Sequence, residues 1–308
     1  MNRQQSISGK ILLLFFVVLG LSISGCNRGP RTGGEGSGDF EAAGTLDVET
    51  QEQLNTAKRI FYSLPSPLET AMLIKNAGAV YNEELLNPTG NTSKYITSRS
   101  KALNLGIYST DLSYASLFDQ TQATLDYIAA AKEMADGLNI LDAINEETIQ
   151  FLEDNINNRE AVIDVISETL MNSSSFLKEN GLEATASVIL VGGWMEGLYI
   201  ATNLVDERNL EGSKLVERIV DQKLSLDIMI NLLKVSGEDA DAQAVLKDVM
   251  ALKTIFDKIT LEQGEVTAVE DPETNVTTLK SESSIEITPG VFRELKAKVE
   301  EIRISYIS

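Results

Sequence analysis

Two acidic residues, Asp111 and Glu196, each stand alone in a long apolar stretch of the sequence. Asp111 is the single charged residue between positions 102 and 118, and Glu196 is the single one between positions 184 and 205. A helix without a polar face is normally central in its fold, so we expect both carboxyl groups to be buried. A buried carboxyl group has a raised pKa, and a pair of them could bind a cation or a polar ligand.

Aromatic residues accompany both acids at helical spacing. A tyrosine follows each acid by three residues, which places it one turn along the same helix face. The candidate ligand-binding residues are therefore Tyr108, Asp111, Tyr114, Trp194, Glu196 and Tyr199. In the alternative interpretation, each acid caps a helix or bonds a tyrosine hydroxyl within the core. Lys75, which lies in an apolar stretch, is a candidate to neutralise one acid.

The composition excludes several classes of chemistry. The chain has 308 residues, with 26 Lys+Arg, 46 Asp+Glu, one Cys, no His and a formal net charge of -20. Without His there is no Ser-His-Asp triad and no imidazole metal site, and a single Cys excludes thiolate clusters. The negative charge makes nucleic acid a poor partner. We therefore assign no catalytic residue and no metal site.

The first 25 residues are typical of a secretory signal. Arg3 and Lys10 form a basic start, positions 11–23 are apolar, and small residues precede Cys26. The apolar run is short for a membrane span, which needs about 20 residues. Residues 23–26 (I-S-G-C) resemble the lipobox of bacterial lipoproteins. An ordinary signal sequence with a chance cysteine is the alternative.

The lipobox resemblance implies that the chain is cut before Cys26. That residue then carries a diacylglycerol thioether and an N-acyl chain such as palmitate, and no other cofactor is expected. Two or three acyl chains give stable anchoring, where one chain is marginal. Asn27 differs from the aspartate that signals inner-membrane retention in some lipoprotein families. The resemblance therefore implies anchoring in the outer membrane of a Gram-negative bacterium, facing the periplasm.

The remaining sequence predicts a flexible Gly-rich tether over 26–45 and one helical domain over 46–308. The predicted fold class is all-α, either a multi-helix bundle or stacked helix pairs. A change to alternating β-branched residues predicts a small β-hairpin at about 265–287, before a final helix that starts after Thr288-Pro289. Helices are predicted over about 47–64, 66–86, 94–117, 145–155, 158–179, 183–206, 211–235 and 239–261, and another opens at the cap residues 119–122 and runs to 136.

The two apolar stretches also resemble each other. Residues 106–115 roughly echo residues 193–201, as stacked helix pairs would. The neighbouring pair Gly192-Gly193 is either a kink that contacts a phosphate or a place where two helices approach closely.

These features favour a lipid-anchored envelope protein that acts by binding or scaffolding and is not an enzyme. Its partners would be the membrane, through the lipid, and an envelope protein. Residues 66–70 (SPLET) and 111–115 (DLSYA) resemble strings in uncharacterised helical lipoproteins of Bacteroidota. The alternative is a small-ligand or cation receptor, or an enzyme, built around Asp111 and Glu196. A concave cavity holding both carboxyl groups would favour that alternative.

Overall fold

The computed structural model describes residues 67–141, 146–156, 158, 161–162, 165, 177, 181–271 and 276–308. The predicted signal, Cys26, the tether, the helix over 47–64 and most of the helix over 158–179 lie outside the described residues. All the described residues belong to one compact unit, Leu46–Ser308.

The described part is mostly helical, which confirms the all-α class. In chain order the helices are α1 (Pro67–Asn76), α2 (Ser98–Leu117), α3 (Thr121–Gly137), α4 (Glu146–Asp154), α5 (Glu183–Leu204), α6 (Lys214–Val235), α7 (Ala240–Phe256) and α8 (Pro289–Ile307). Short 3-10 turns occupy Glu83–Leu85 and Thr89–Lys94.

Helix α1 is shorter than the sequence predicts, since it ends at Asn76 rather than near residue 86. Gly78 has a φ of +86°, a left-handed conformation that suits glycine and stops the helix. The chain then continues through the two 3-10 turns to α2. The segment between α1 and α2 supplies the Asn87 N–H that donates to Asp111.

Helix α2 begins at a well-formed cap rather than at residue 94, where the sequence predicts it. The Thr97 hydroxyl accepts from the Ser100 backbone N–H at 3.0 Å, and the Ser100 hydroxyl accepts from the Thr97 N–H at 3.1 Å. This reciprocal pair is a capping box, which satisfies two backbone donors at the helix start. It sets the register that points Asn104 and Asp111 into the core.

Helices α2 and α5 form the most extensive helix contact in the described part. The two segments that echo each other in sequence are thus packed together. A Cβ atom on Gly106 would lie 2.0 Å from the Ile189 carbonyl oxygen, and one on Gly192 would lie 2.2 Å from the Leu103 carbonyl oxygen. The glycines let the two backbones touch. Of the two roles predicted for Gly192-Gly193, Gly192 therefore has that of close helix packing.

The buried stripes of α7 and α8 agree with the sequence pattern. Helix α8 packs on α5 and α7, so its apolar side faces these two helices. The stripe residues are nearly or fully buried: Val245, Val249, Leu252, Phe256, Ile259, Phe292, Leu295, Val299 and Ile302. Between α7 and α8, strand β1 (Thr260–Asp271) pairs antiparallel with β2 (Val276–Glu286).

Helix α5 is long and apolar enough to cross a membrane by length and composition, alone among the helices of the described residues. Its most apolar 18-residue window is 72% buried within the protein. Packing against α2, α6, α7 and α8 accounts for that apolar character, as expected for a central helix.

Candidate functional site

Asp111 and Glu196 meet in the core, and Arg303 joins them from α8. Glu196 and Asp111 are both fully buried, and Arg303 is 6% exposed. The Arg303 Nε donates to Glu196 Oε2 at 2.9 Å and its Nη2 donates to Oε1 at 2.8 Å. This bidentate pair is the strong, oriented form of an ion pair, and removing either partner alone would leave an uncompensated buried charge.

Asp111 is the second fully buried acid of the cluster, and the charge of Glu196 acts on it. Asp111 Oδ2 accepts from the Asn87 backbone N–H at 3.1 Å. Its Oδ1 finds no hydrogen-bond partner among the described residues. The cluster therefore contains two carboxyl groups and one guanidinium, with one oxygen left unsatisfied.

The electrostatics of the cluster follow from burial. Desolvation first, and the nearby Glu196 carboxylate second, raise the pKa of Asp111 well above its ordinary value, while Arg303 and the Asn87 N–H act in the opposite direction. Burial opposes the charge on Arg303, but Glu196 and Asp111 outweigh it and raise the pKa of the guanidinium. Arg303 is thus a permanent cation that pairs with Glu196.

A neutral hydrogen-bond network extends the cluster toward the end of α8. The Asn87 side chain donates to Asn104 Oδ1 and to the Tyr95 hydroxyl, both at 3.0 Å. Asn104 Nδ2 in turn donates to the Tyr306 carbonyl at 2.9 Å. Asn87 and Asn104 are fully buried, so these bonds satisfy groups that would otherwise be costly to bury. The network ties α2, the segment before it and α8 together.

The predicted aromatic residues do not all join the acids. Tyr199 lies under Arg303, whose guanidinium carbon is 4.4 Å from the ring centroid. Tyr108 and Tyr114 donate instead to the carbonyls of Pro88 and Val80, at 3.1 and 3.2 Å. These two tyrosines hold the segment that carries Asn87 against α2.

Trp194 points to a different neighbour. Its Nε1 donates to Gln222 Oε1 of α6 at 3.0 Å. It lines a groove between α1, α5 and α6 with a cavity volume of about 20 Å³, which is room for little more than one water. Neither Asp111 nor Glu196 lines this groove, so Trp194 is not part of a common pocket with them.

Lys75 does not neutralise either acid. Its ammonium donates to the Leu117 carbonyl at the end of α2 and lies 5.2 Å from the centroid of the Phe118 ring. The cation that the acids require is Arg303, which is 107 residues from Glu196.

Sequence reasoning missed Arg303, Asn87 and Asn104. One signal was present: Arg303 follows Val299 by four residues and precedes Tyr306 by three, which places it beside the apolar stripe of α8. Asn104 likewise interrupts an otherwise apolar helix. Asn87 carries no comparable signal, because Asn-Pro is an ordinary turn sequence.

The arrangement is suited to holding helices together. The acids, the guanidinium and the two amides are buried, and hydrogen bonds join Arg303 to Glu196, Asn87 to Asp111 and Asn87 to Asn104. No group of three or more acidic, His or Cys side chains in the described residues is placed to hold a metal ion.

No family model, curated protein or solved structure matches this chain.

Proposed function

We propose that this protein is a lipid-anchored protein of a Gram-negative cell envelope that works by binding or scaffolding. Residues 23–26 (I-S-G-C) support the anchor, because a thiol placed after small residues at the end of a signal sequence is the nucleophile that lipid attachment needs. Attachment at Cys26 would place the helical body at a membrane surface, in our proposal that of the outer membrane facing the periplasm.

The buried ion pair between Glu196 and Arg303 is the observation that favours binding or scaffolding over a ligand site in the core. Both oxygens of Glu196 are used by the Arg303 fork, at 2.8 and 2.9 Å. A receptor or an enzyme needs polar groups that converge on a concave, open site. In this protein Glu196 pairs with Arg303 in a contact between two helices, so we propose that partners are bound at the surface.

The anchor is tested by replacing Cys26 with alanine in the full chain. We expect the wild-type protein to incorporate a labelled palmitate analogue, to lose its signal and to sediment with membranes. Cys26→Ala removes the attachment atom, so the label should be lost and the protein should remain unprocessed. Labelling, gel mobility and fractionation measure the three effects.

Ser24→Ala is the matched control, since alanine keeps a small residue before Gly25 and preserves the hydrophobic-small-small-Cys pattern. It should be labelled and processed like the wild type. Labelling of Cys26→Ala, or equal processing of both variants, would contradict the proposed anchor.

The proposed architecture of the folded domain includes a small hairpin near its last helix. We propose a multi-helix bundle that carries a hairpin at about 265–287, supported by the pairing of β1 with β2, by the alternating β-branched residues of 265–270 and 276–281 and by the turn sequence between them. Backbone chemical shifts of these residues test it, because strand and helix shift the Cα and Cβ resonances in opposite directions.

A further inference from the structure

The core cluster has one more acid than its cation can balance. Glu196 is matched by Arg303 through two hydrogen bonds. Asp111 has the Asn87 N–H at 3.1 Å on one oxygen and, among the described residues, no donor on the other. An ionised carboxylate buried without a compensating partner is strongly destabilising.

The nearby Glu196 explains why Asp111 Oδ1 has no hydrogen-bond donor among the described residues. The Glu196 carboxylate is near enough to raise the pKa of Asp111, and both side chains are fully buried. Two ionised carboxylates offer acceptors only, so no hydrogen bond can form between them. A single proton between them would supply the missing donor and remove the excess charge.

We propose that Asp111 is a buried proton-binding site, in which the carboxyl group is protonated in the folded protein and donates a hydrogen bond to Glu196. The cluster is then neutral, with Glu196 and Arg303 as the ion pair. Asp111 accepts from Asn87 through one oxygen and donates through the other. Every strong polar group of the trio has a partner in this arrangement.

The direction of the pKa of Asp111 agrees with this assignment. Burial and the neighbouring Glu196 carboxylate raise that pKa well above 3.8, against the effect of Arg303 and Asn87. The other groups with electrostatic influence here are tyrosines on α2, α3 and the segment after α1. Burial raises the pKa of each of them, so they stay neutral near pH 7: Tyr81, Tyr108 and Tyr127. Lys75 of α1 is bound to Leu117.

The proposal gives folding a definite pH dependence. Above the ordinary pKa of an aspartate the unfolded chain has Asp111 ionised, while the folded chain keeps its proton. The folded state then binds one proton more, so stability falls as the pH rises until the raised pKa of the folded state is passed. One proton corresponds to a tenfold change in the unfolding equilibrium constant per pH unit. The chain contains no His, which removes the usual contribution near neutral pH.

Asp111→Asn is the decisive variant, because asparagine has the shape of the protonated acid. Its carbonyl can accept from Asn87 and its amide can donate to Glu196. We expect the full-length variant in non-ionic detergent to fold and to lose this pH dependence. Between about pH 5 and 8, the unfolding constant of the wild type should rise relative to that of the variant by up to tenfold per pH unit. Urea unfolding at several pH values measures the difference.

Asp126→Asn is the matched control, since Asp126 is exposed and bonds Gln122 on the same helix. Its pH dependence should match the wild type. An infrared band of a protonated carboxylic acid at pH 7, shifted by isotope-labelled aspartate, should be seen in the wild type even if Asp111→Asn fails to fold. Equal pH dependence of Asp111→Asn and wild type, or absence of that band, would overturn the proposal.

Discussion

Arg303 of α8 holds Glu196 in the middle of α5 through two hydrogen bonds, from Nε at 2.9 Å and from Nη2 at 2.8 Å. The same Nη2 also donates to the Leu85 carbonyl at 3.0 Å. One guanidinium therefore connects the last helix, a central helix and the segment between α1 and α2. These hydrogen bonds fix the position of α8 against α5 and the segment between α1 and α2.

Replacing Arg303 with methionine should destabilise the protein strongly. Methionine keeps much of the side-chain length and its apolar packing, but it leaves Glu196 as a buried charge without a partner. Breaking one side of a buried ion pair costs about 3–5 kcal/mol. Chemical denaturation of the purified protein measures the change in the free energy of unfolding.

Lys298→Met is the control for that prediction, because it removes a cation of the same helix from a surface pair with Glu301. Such pairs are worth about 0–1 kcal/mol. The double variant Glu196→Leu/Arg303→Met should recover part of the stability, since no unpaired ionised side chain remains. A small effect of Arg303→Met, or a double variant less stable than Arg303→Met, would contradict the assigned role of the pair.

Replacing Gly106 with alanine should disrupt the contact between α2 and α5. The added Cβ would lie 2.0 Å from the Ile189 carbonyl oxygen and 2.6 Å from the Gly193 nitrogen, which are backbone atoms that cannot rotate away. Overpacking of this kind costs about 1–3 kcal/mol, and the whole contact has to open. Thermal unfolding followed by circular dichroism measures the loss.

Gly90→Ala serves as its control, since no atom lies within 4 Å of a Cβ added at Gly90 and its φ is not in the left-handed region. This variant should unfold close to the wild-type temperature. Similar melting of the Gly106 and Gly90 variants would mean that the two central helices are not in backbone contact.

Replacing Asn104 with alanine should loosen the end of α8. The change removes the donor to the Tyr306 carbonyl and the acceptor of the Asn87 side chain. Leaving buried polar groups unsatisfied costs about 1–3 kcal/mol each. Hydrogen exchange should speed up for the backbone amides near Tyr306 more than for those at the start of α8.

Asn203→Ala is a fitting comparison, because the Asn203 side chain donates to the Tyr199 carbonyl within its own helix, at 2.9 Å. It should leave exchange near Tyr306 unchanged. If the two variants alter exchange equally, Asn104 does not secure α8.

Much of the fold was predictable because it depends on local periodicity. The stripe of α8 repeats at helical spacing and is buried as predicted, with Phe292, Leu295 and Val299 fully inside. The early end of α1 was not predicted. A single glycine in a left-handed conformation stops the helix, and residues 79–86 carry enough helix-forming residues to hide that stop.

The candidate site was predicted in part. The isolated charges of Asp111 and Glu196 in apolar sequence indicated burial, and both are fully buried. Their meeting depends on the crossing of α2 and α5, where Gly106 and Gly192 bring the two backbones together. Sequence spacing cannot specify such a crossing, because residues about 85 positions apart have no local geometry in common.

By itself, then, the sequence determined the helical class, the central place of two apolar helices and the burial of one acid on each. These follow from periodicity and from the cost of exposing apolar surface, both of which can be judged within one helix. Only the tertiary structure decided that Arg303, rather than Lys75, balances Glu196. An arginine beside an apolar stripe has the same local pattern whether it reaches water or a buried acid. Which one it reaches is settled by the helix that packs against it.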